Sequence, residues 1–301
     1  MDTWWRLHAW LGFGGPGSSP ESAAKLADSF LKQLGLGTGS AARARELPWQ
    51  ELIAAQSALP GGVAGARLGP VIDGRHLPLS PYQAVQHGQV SDKPLLLGSN
   101  RDEVKLFNVG GGERRPIADR DFPKLMRATL PGASDEQIQA LIDTYRQSRR
   151  ALNLPNANPD ILDAITSDLR FRLPAMNLAL AQGAAGGNAY LYLFDWESPA
   201  RGGRLGACHA LEMPFVFGTL HAPTQDRFAG KGPDAEQLSA QMMDAWIAFA
   251  RNGDPSHGDI GPWPLYDGEQ RLTMRFGRQS GVAVDPLVDE RRALSRLLQP
   301  A

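Results

Sequence analysis

The segment Ala189-Tyr-Leu-Tyr-Leu-Phe194 restricts the possible folds of this chain more than any other segment. It is apolar or aromatic throughout, which is typical of a strand that is buried on both faces. Such strands belong to parallel sheets covered by helices on both sides. Two weaker strand candidates accompany it. The run 94–98 is short and apolar, and the run 272–276 alternates like a half-exposed edge strand.

Helices are predicted between and around these strands. A helix begins at Ser134, with Gln137 completing a capping box and an apolar face that comprises Ile138, Leu141, Ile142 and Tyr145. Another begins with Ser18 or Ser19 as its cap, carries Pro20 in its first turn and stops at Gly35. Two more are predicted near 236–251 and 286–298. Strands separated by helices indicate an α/β fold with a mostly parallel sheet and crossover connections.

Composition and charge limit the kinds of partner. The chain has 301 residues, 42% of them hydrophobic, which suits one large domain. A net charge of -1 gives no electrostatic reason to expect nucleic acid or an anionic membrane as a partner. No apolar run approaches the ~20 residues of a membrane span. We predict no signal peptide, which leaves the compartment open with the cytoplasm as the default, and the single Cys208 excludes an internal disulfide.

One acid and one histidine are the candidates for chemistry. Glu103 follows a predicted strand in Pro94-Leu-Leu-Leu-Gly-Ser-Asn-Arg-Asp-Glu103-Val-Lys-Leu-Phe107. Ligands of open α/β sheets bind beyond the carboxyl ends of strands, where a carboxylate can orient an imidazole. His209 lies in Gly206-Ala-Cys-His209-Ala-Leu-Glu-Met-Pro-Phe-Val-Phe-Gly218 and could act as a general base. Local pattern alone favours a solvated loop acid and a structural histidine.

These two segments together resemble the acid and histidine segments of the type-B carboxylesterases, the cholinesterase-like branch of the α/β-hydrolases. The segments 243–255 and 263–266 are similar to the helix and turn near the family's C-terminus, and Ser167-Asp168 resembles a helix-entry pattern. The resemblance covers roughly residues 20–280. It implies an incomplete α/β-hydrolase fold, in which residues 20–301 form the C-terminal portion of a type-B carboxylesterase domain and residues 1–19, with a glycine-rich loop, are unmatched.

The resemblance also implies roles for single residues. Glu103 would be the orienting acid and His209 the general base of a Ser-His-Glu triad. Leu106 and Phe107 would line the substrate pocket, and Glu212 would be structural support. The substrate class would be small-molecule carboxylic esters, with no cofactor.

The nucleophile of that triad is missing. In α/β-hydrolases the chain order is Ser, then acid, then His, and the Ser lies in Gly-x-Ser-x-Gly. Gly17-Ser-Ser19-Pro-Glu21 and Gly132-Ala-Ser134-Asp-Glu136 lack the second glycine, and both serines suit helix caps. The oxyanion-hole segment is absent too, since Gly110-Gly-Gly112 follows the acid and is predicted to be a loop. In a protease with the same kind of triad, losing the serine lowers kcat about a million-fold. We therefore expect no catalysis from this chain alone, and a separate N-terminal chain is a candidate partner.

Alternatives remain at this stage. The chain could be a non-catalytic binding module, as cholinesterase-like relatives such as the neuroligins are, or the product of a truncated or decaying gene. Cys208 and His209 are neighbours whose side chains should point apart. Met213 stands where a zinc motif His-x-x-Glu-His would have its second histidine, so we predict no metal site.

Overall fold

The computed structural model describes residues 19–59, 69–108 and 116–298. These form two compact units, divided between Ala84 and Val85, and each unit is described by itself. The glycine-rich loops predicted around residues 12–18 and 110–112 lie outside the described residues, as does most of the segment 1–19.

The smaller unit is helical. Its elements are α1 (Pro20–Gln33), a 3-10 helix (Thr38–Glu46), α2 (Trp49–Ser57) and the first part of α3 (Pro81–Gln86). The Ser19 hydroxyl caps α1 by accepting a hydrogen bond from the Ser22 N–H at 3.2 Å. Gly35 follows the helix with a φ of +66°, a conformation that favours glycine. The predicted start and end of this helix are therefore confirmed.

The larger unit contains a four-stranded sheet in the order β1 (Leu95–Asn100), β2 (Ala189–Phe194), β3 (Leu272–Phe276) and β4 (Gly281–Val284). β2 pairs in parallel with β1 and with β3, whereas β4 pairs antiparallel with β3. The predicted mostly parallel sheet is confirmed. The prediction that 272–276 is an edge strand was wrong, because β4 covers that edge.

Helices flank this sheet. They are α4 (Lys105–Asn108), α5 (Phe122–Thr129), α6 (Asp135–Ala151), α7 (Asn158–Ser167), α8 (Leu173–Ala184), α9 (Met213–Val216), α10 (Gln225–Phe228), α11 (Pro233–Asn252) and α12 (Val288–Leu298). α8 packs on β1 and β2, and α6 packs against α12. The predicted helices near 236–251 and 286–298 are confirmed as α11 and α12. No helix within the described ranges has the length and apolar character that crossing a membrane requires.

The capping box of α6 is confirmed. The Ser134 hydroxyl accepts from the Gln137 N–H at 3.3 Å, and the Gln137 side chain accepts from the Ser134 N–H at 2.8 Å. The four residues predicted for its apolar face are all buried. The local sequence signal therefore set both the start of this helix and its inward face.

α7 and α8 form one helical run that a wide turn interrupts. Residues Asp168–Arg172 adopt π-helical geometry, and the Leu173 N–H donates to the Asp168 carbonyl five residues back. Pro174 follows this turn, and a proline lacks the N–H that a regular helix would need there. The prediction that Ser167-Asp168 marks the start of a helix was wrong, because both residues lie inside this helical run.

One hydrophobic core of the larger unit is built from residues of β2, β3, α9 and α11. Its buried aromatic residues include Phe194, Phe215, Trp263 and Phe276. This packing fixes the carboxyl ends of β1 and β2, and the Arg101 N–H beyond β1 donates to the Phe194 carbonyl at 2.9 Å. The loops that leave these two ends carry the candidate site.

Candidate active site

The acid and the histidine singled out from the sequence are in direct contact. His209 Nδ1 lies 2.7 Å from Glu103 Oε2, although 106 residues separate them in the chain. A carboxylate can only accept, so Nδ1 carries the proton of this hydrogen bond. The other ring nitrogen, Nε2, then has a free lone pair. The side chain of Glu103 is 7% exposed and that of His209 is 38% exposed.

Backbone groups hold Glu103 in place. The Asn100 N–H, at the end of β1, donates to Glu103 Oε1 at 2.8 Å. The Glu103 carbonyl accepts from the His209 N–H at 3.2 Å, and the next amide, of Val104, donates to the Ser167 hydroxyl at 3.2 Å. Both carboxylate oxygens are thus occupied, which fixes the direction in which Glu103 presents Oε2.

Asn100 also ties the acid loop to the histidine loop. Its side-chain amide donates to the Cys208 carbonyl at 2.7 Å and to a carboxylate oxygen of Glu212. Burial raises the pKa of Glu212, which the hydrogen bond from Asn100 opposes. Glu212 is half-buried beside the histidine. Its placement suits the supporting role that the resemblance implies.

Asp102 makes the second tie between the loops. Its N–H donates to the Ala207 carbonyl at 2.9 Å, and its Oδ2 accepts from the Ala207 N–H at 3.1 Å. Burial alone would raise the pKa of Asp102, but the charges of Arg101, Lys105 and Arg149 hold it well below its usual range. The Asp102 side chain is 1% exposed, so the ion cluster around it is buried. Through Ala207, two residues before His209, this cluster supports the histidine loop.

The surroundings of the pair make the His209 imidazole a stronger base. The hydrogen bond to Glu103 raises the pKa of His209, partial burial opposes this, and the charges of Glu103 and Glu212 add to it. Within the described residues, Nε2 forms no hydrogen bond. The arrangement can therefore take a proton at Nε2 while Glu103 stabilises the resulting cation.

Aromatic rings flank the imidazole. The Phe107 and Phe171 rings lie with their centroids 5.2 Å and 5.4 Å from that of His209. Phe107 is 47% exposed, whereas Leu106 is half-buried against the core. The structure thus brings Phe107 to the candidate site. Leu106 is adjacent to it in sequence, and its side chain packs into the core.

Two side chains that the sequence analysis considered as other nucleophiles have surroundings of their own. Cys208 is fully buried, and burial raises the pKa of its thiol to about 12. Ser134 caps α6, as predicted. Among the described residues, no serine hydroxyl is hydrogen-bonded to His209.

Sequence reasoning missed several residues that build this site. Asn100, Asp102, Ser167 and Phe171 contribute through contacts that span tens of residues. Asn100 and Asp102 lie in the quoted acid segment, so their position after β1 was the available signal. Ser167 and Phe171 lie at the π-helical turn, and such turns are frequent at functional sites.

Comparisons with known proteins agree with the family resemblance found in the sequence. The model of the carboxylesterase family matches residues 17–291. The para-nitrobenzyl esterase of Bacillus subtilis (strain 168) is 29% identical over 281 residues, which is 91% of this chain and 53% of that protein. The acetylcholinesterase of Bungarus fasciatus is 29% identical over 223 residues, 70% of this chain and 36% of that protein.

Among solved structures, the Geobacillus stearothermophilus carboxylesterase EST55 superposes with a TM-score of 0.72 at 32% identity. The match covers 92% of this chain and 55% of that one. The chain thus spans about half the length of the relatives it matches, and the expected α/β-hydrolase fold is confirmed. Because the family model covers most of the sequence, this chain belongs to the carboxylesterase family.

Proposed function

We propose that the protein containing this chain hydrolyses carboxylic esters, with His209 as general base and acid and Glu103 as the residue that orients it. The observation that carries the proposal is the 2.7 Å contact between His209 Nδ1 and Glu103 Oε2. The esterases among the relatives support the substrate class. Phe107, exposed beside the imidazole, is proposed as a wall of the acyl or alcohol pocket.

The chemistry follows from the free ring nitrogen. Nε2 takes the proton of a serine hydroxyl as its oxygen attacks the ester carbonyl, and the imidazolium then donates that proton to the departing alkoxide. Water then attacks the acyl-serine. Nε2 takes a proton from this water and donates it to the departing serine oxygen. Glu103 keeps the proton on Nδ1 and stabilises the cation at each stage. Every proton that leaves the nucleophile therefore ends on the leaving group.

The nucleophile is proposed to come from outside these 301 residues, because the sequence contains no Gly-x-Ser-x-Gly. A base without a nucleophile and an oxyanion hole gives little rate enhancement. The purified chain should accordingly be inactive. Residues 20–301 are proposed as the acid- and histidine-bearing portion of the domain, with 1–19 outside it.

The test has two stages. The first measures hydrolysis of p-nitrophenyl butyrate by the purified chain beside His209→Ala, and neither should exceed the buffer rate. Turnover that His209→Ala abolishes would mean that a serine within the chain is the nucleophile. The second stage sequences the coding region upstream of Met1 for an in-frame Gly-x-Ser-x-Gly and assays the extended protein.

The extended protein should hydrolyse the ester, and His209→Ala should remove that activity. Glu103→Gln should reduce kcat by about 10⁴-fold, the effect of the equivalent change in a serine protease. Activity that survives His209→Ala would refute the assigned roles.

A non-catalytic binding module is the second candidate, and the missing nucleophile is the observation that favours it. A chain that forms a stable complex with a defined protein partner, and whose upstream region encodes no nucleophile, would support this candidate over the first.

A further inference from the structure

The return of the chain after α11 brings three side chains together that lie apart in sequence. Gly253 ends α11 with a φ of +75°, and its N–H donates to the Phe249 carbonyl at 2.8 Å. The chain then folds back along the helix, and His257 Nε2 comes within 3.0 Å of the Gln241 carbonyl. Asp244 lies three residues after Gln241, and residues at this spacing share a helix face.

The loop after the helix is anchored on both sides of His257. The Ser256 hydroxyl accepts from the N–H of the buried Trp263 at 2.9 Å. The His257 carbonyl accepts from the Gly261 N–H at 2.9 Å, which closes a turn that contains Asp259. As a result, the candidate ligand atoms of Asp244, His257 and Asp259 all lie within 4.8 Å of one another.

The hydrogen bond to the Gln241 carbonyl fixes the tautomer of the His257 imidazole. A carbonyl can only accept, so His257 Nε2 carries the proton and Nδ1 presents a lone pair. Metal-binding histidines commonly donate their second ring nitrogen to a backbone carbonyl in this way, which fixes the tautomer and the direction of the ring.

The two carboxylates have no other polar partner in the described part of the chain. Within the described residues, neither the Asp244 nor the Asp259 side chain accepts a hydrogen bond or forms an ion pair. With a neutral imidazole the cluster carries two negative charges, which one divalent cation balances.

We propose that Asp244, His257 and Asp259 form a binding site for a divalent transition metal, with Zn²⁺ the preferred ion. This revises the prediction of no metal site, which rested on ligand spacing along the sequence. One nitrogen and two carboxylate oxygens suit Zn²⁺ better than Mg²⁺ or Ca²⁺, which favour all-oxygen sites.

The geometry needs only a small adjustment. Tetrahedral Zn²⁺ with bonds of about 2.1 Å places its ligand atoms about 3.4 Å apart. The exposed Asp244 and Asp259 side chains can close the remaining gap by rotation, while the half-buried His257 stays in place. The bound ion would clamp the loop 254–261 to α11, independently of ester hydrolysis.

The test is calorimetric titration of the EDTA-treated, dialysed chain with ZnCl2 and, separately, with MgCl2. We expect one Zn²⁺ per chain and much weaker Mg²⁺ binding. His257→Gln retains a donor for the Gln241 carbonyl and removes Nδ1, and Asp259→Asn retains the side-chain shape. Each should weaken Zn²⁺ binding at least about tenfold. The matched control is His221→Gln, an exposed histidine outside the cluster, which should bind as the wild type does.

Circular dichroism of each variant establishes that the chain is still folded. No saturable Zn²⁺ binding by the wild type, or equal affinity in His257→Gln and Asp259→Asn, would overturn the proposal. A rise of the wild-type Tm with Zn²⁺ that His257→Gln lacks would add independent support for the clamp.

Discussion

The substitution Asp102→Asn should destabilise the larger unit strongly. Asp102 Oδ1 faces Lys105 Nζ at 3.1 Å and Arg149 Nη2 at 3.3 Å, and Oδ2 accepts from Arg101 Nη2 at 2.8 Å. Asparagine keeps the shape of this side chain and removes its charge. Its amide would turn two donor hydrogens toward a cation or toward the Ala207 N–H, so at least one buried donor would lose its acceptor.

The magnitude follows from how deeply the cations lie. The side chains of Arg149 and Lys105 are 1% and 4% exposed, so water cannot replace the lost carboxylate. Removing one partner of a buried pair costs about 3–5 kcal/mol because an uncompensated charge remains. Globular domains are stable by only about 5–15 kcal/mol, so this is a large share of the total.

Urea unfolding at pH 7, followed by tryptophan fluorescence, measures the change. The matched control is Asp92→Asn, because the Asp92–Lys93 pair is 70% exposed on both sides and should contribute nothing measurable. If the two variants unfold at the same urea concentration, the buried cluster does not support the acid and histidine loops as argued.

Two further substitutions test the electrostatics and the capping. Burial, with repulsion from Asp168, raises the pKa of Glu290 on α12 to about 7, while Arg172, Arg149 and the Ser148 hydroxyl oppose the rise. Because its pKa is raised in the folded state, Glu290 contributes stability that is present below the ordinary pKa of a glutamate and is lost as the pH rises through 7. Between pH 4.5 and pH 8, the stability of Glu290→Gln relative to the wild type should therefore rise by roughly 3 kcal/mol. Urea midpoints of both proteins measure this difference, and a difference that does not change with pH would contradict the assignment. Ser134→Ala should lower the free energy of unfolding by about 1 kcal/mol by removing the cap of α6. An unchanged urea midpoint would mean that the capping box contributes nothing.

Strong local signals in the sequence predicted most of the fold. The bounds of β2 and β3 agree with their apolar runs, and the capping box and apolar stripe located α6. β4 was missed because Gly281–Val284 is short and its residues are exposed or half-buried, so no apolar run marks it. The turn Asp168–Arg172 was missed because Pro174 indicates a helix boundary in sequence, whereas the π-helical geometry lets the run continue.

For the candidate site, the sequence indicated Glu103 and His209 with Leu106, Phe107 and Glu212 beside them, but not the residues that hold the two loops together. Glu103 and His209 were recognisable from their segments. Asp102 reads as a solvated acid, because its burial depends on Arg149, which lies 47 residues away. Asp244, His257 and Asp259 follow no recognisable ligand spacing, and only the reversal after α11 brings them together.

The separation of 106 residues between Glu103 and His209 also affects the order of folding. Contacts between distant residues require the closure of a long loop before they contribute, so they form slowly. The helices α5 to α8 lie in the intervening chain and can form from local contacts, whereas the parallel pairing of β1 with β2 cannot. We therefore expect the hydrogen bond between the imidazole and the carboxylate to be among the last native contacts to form and to report on complete folding of the larger unit.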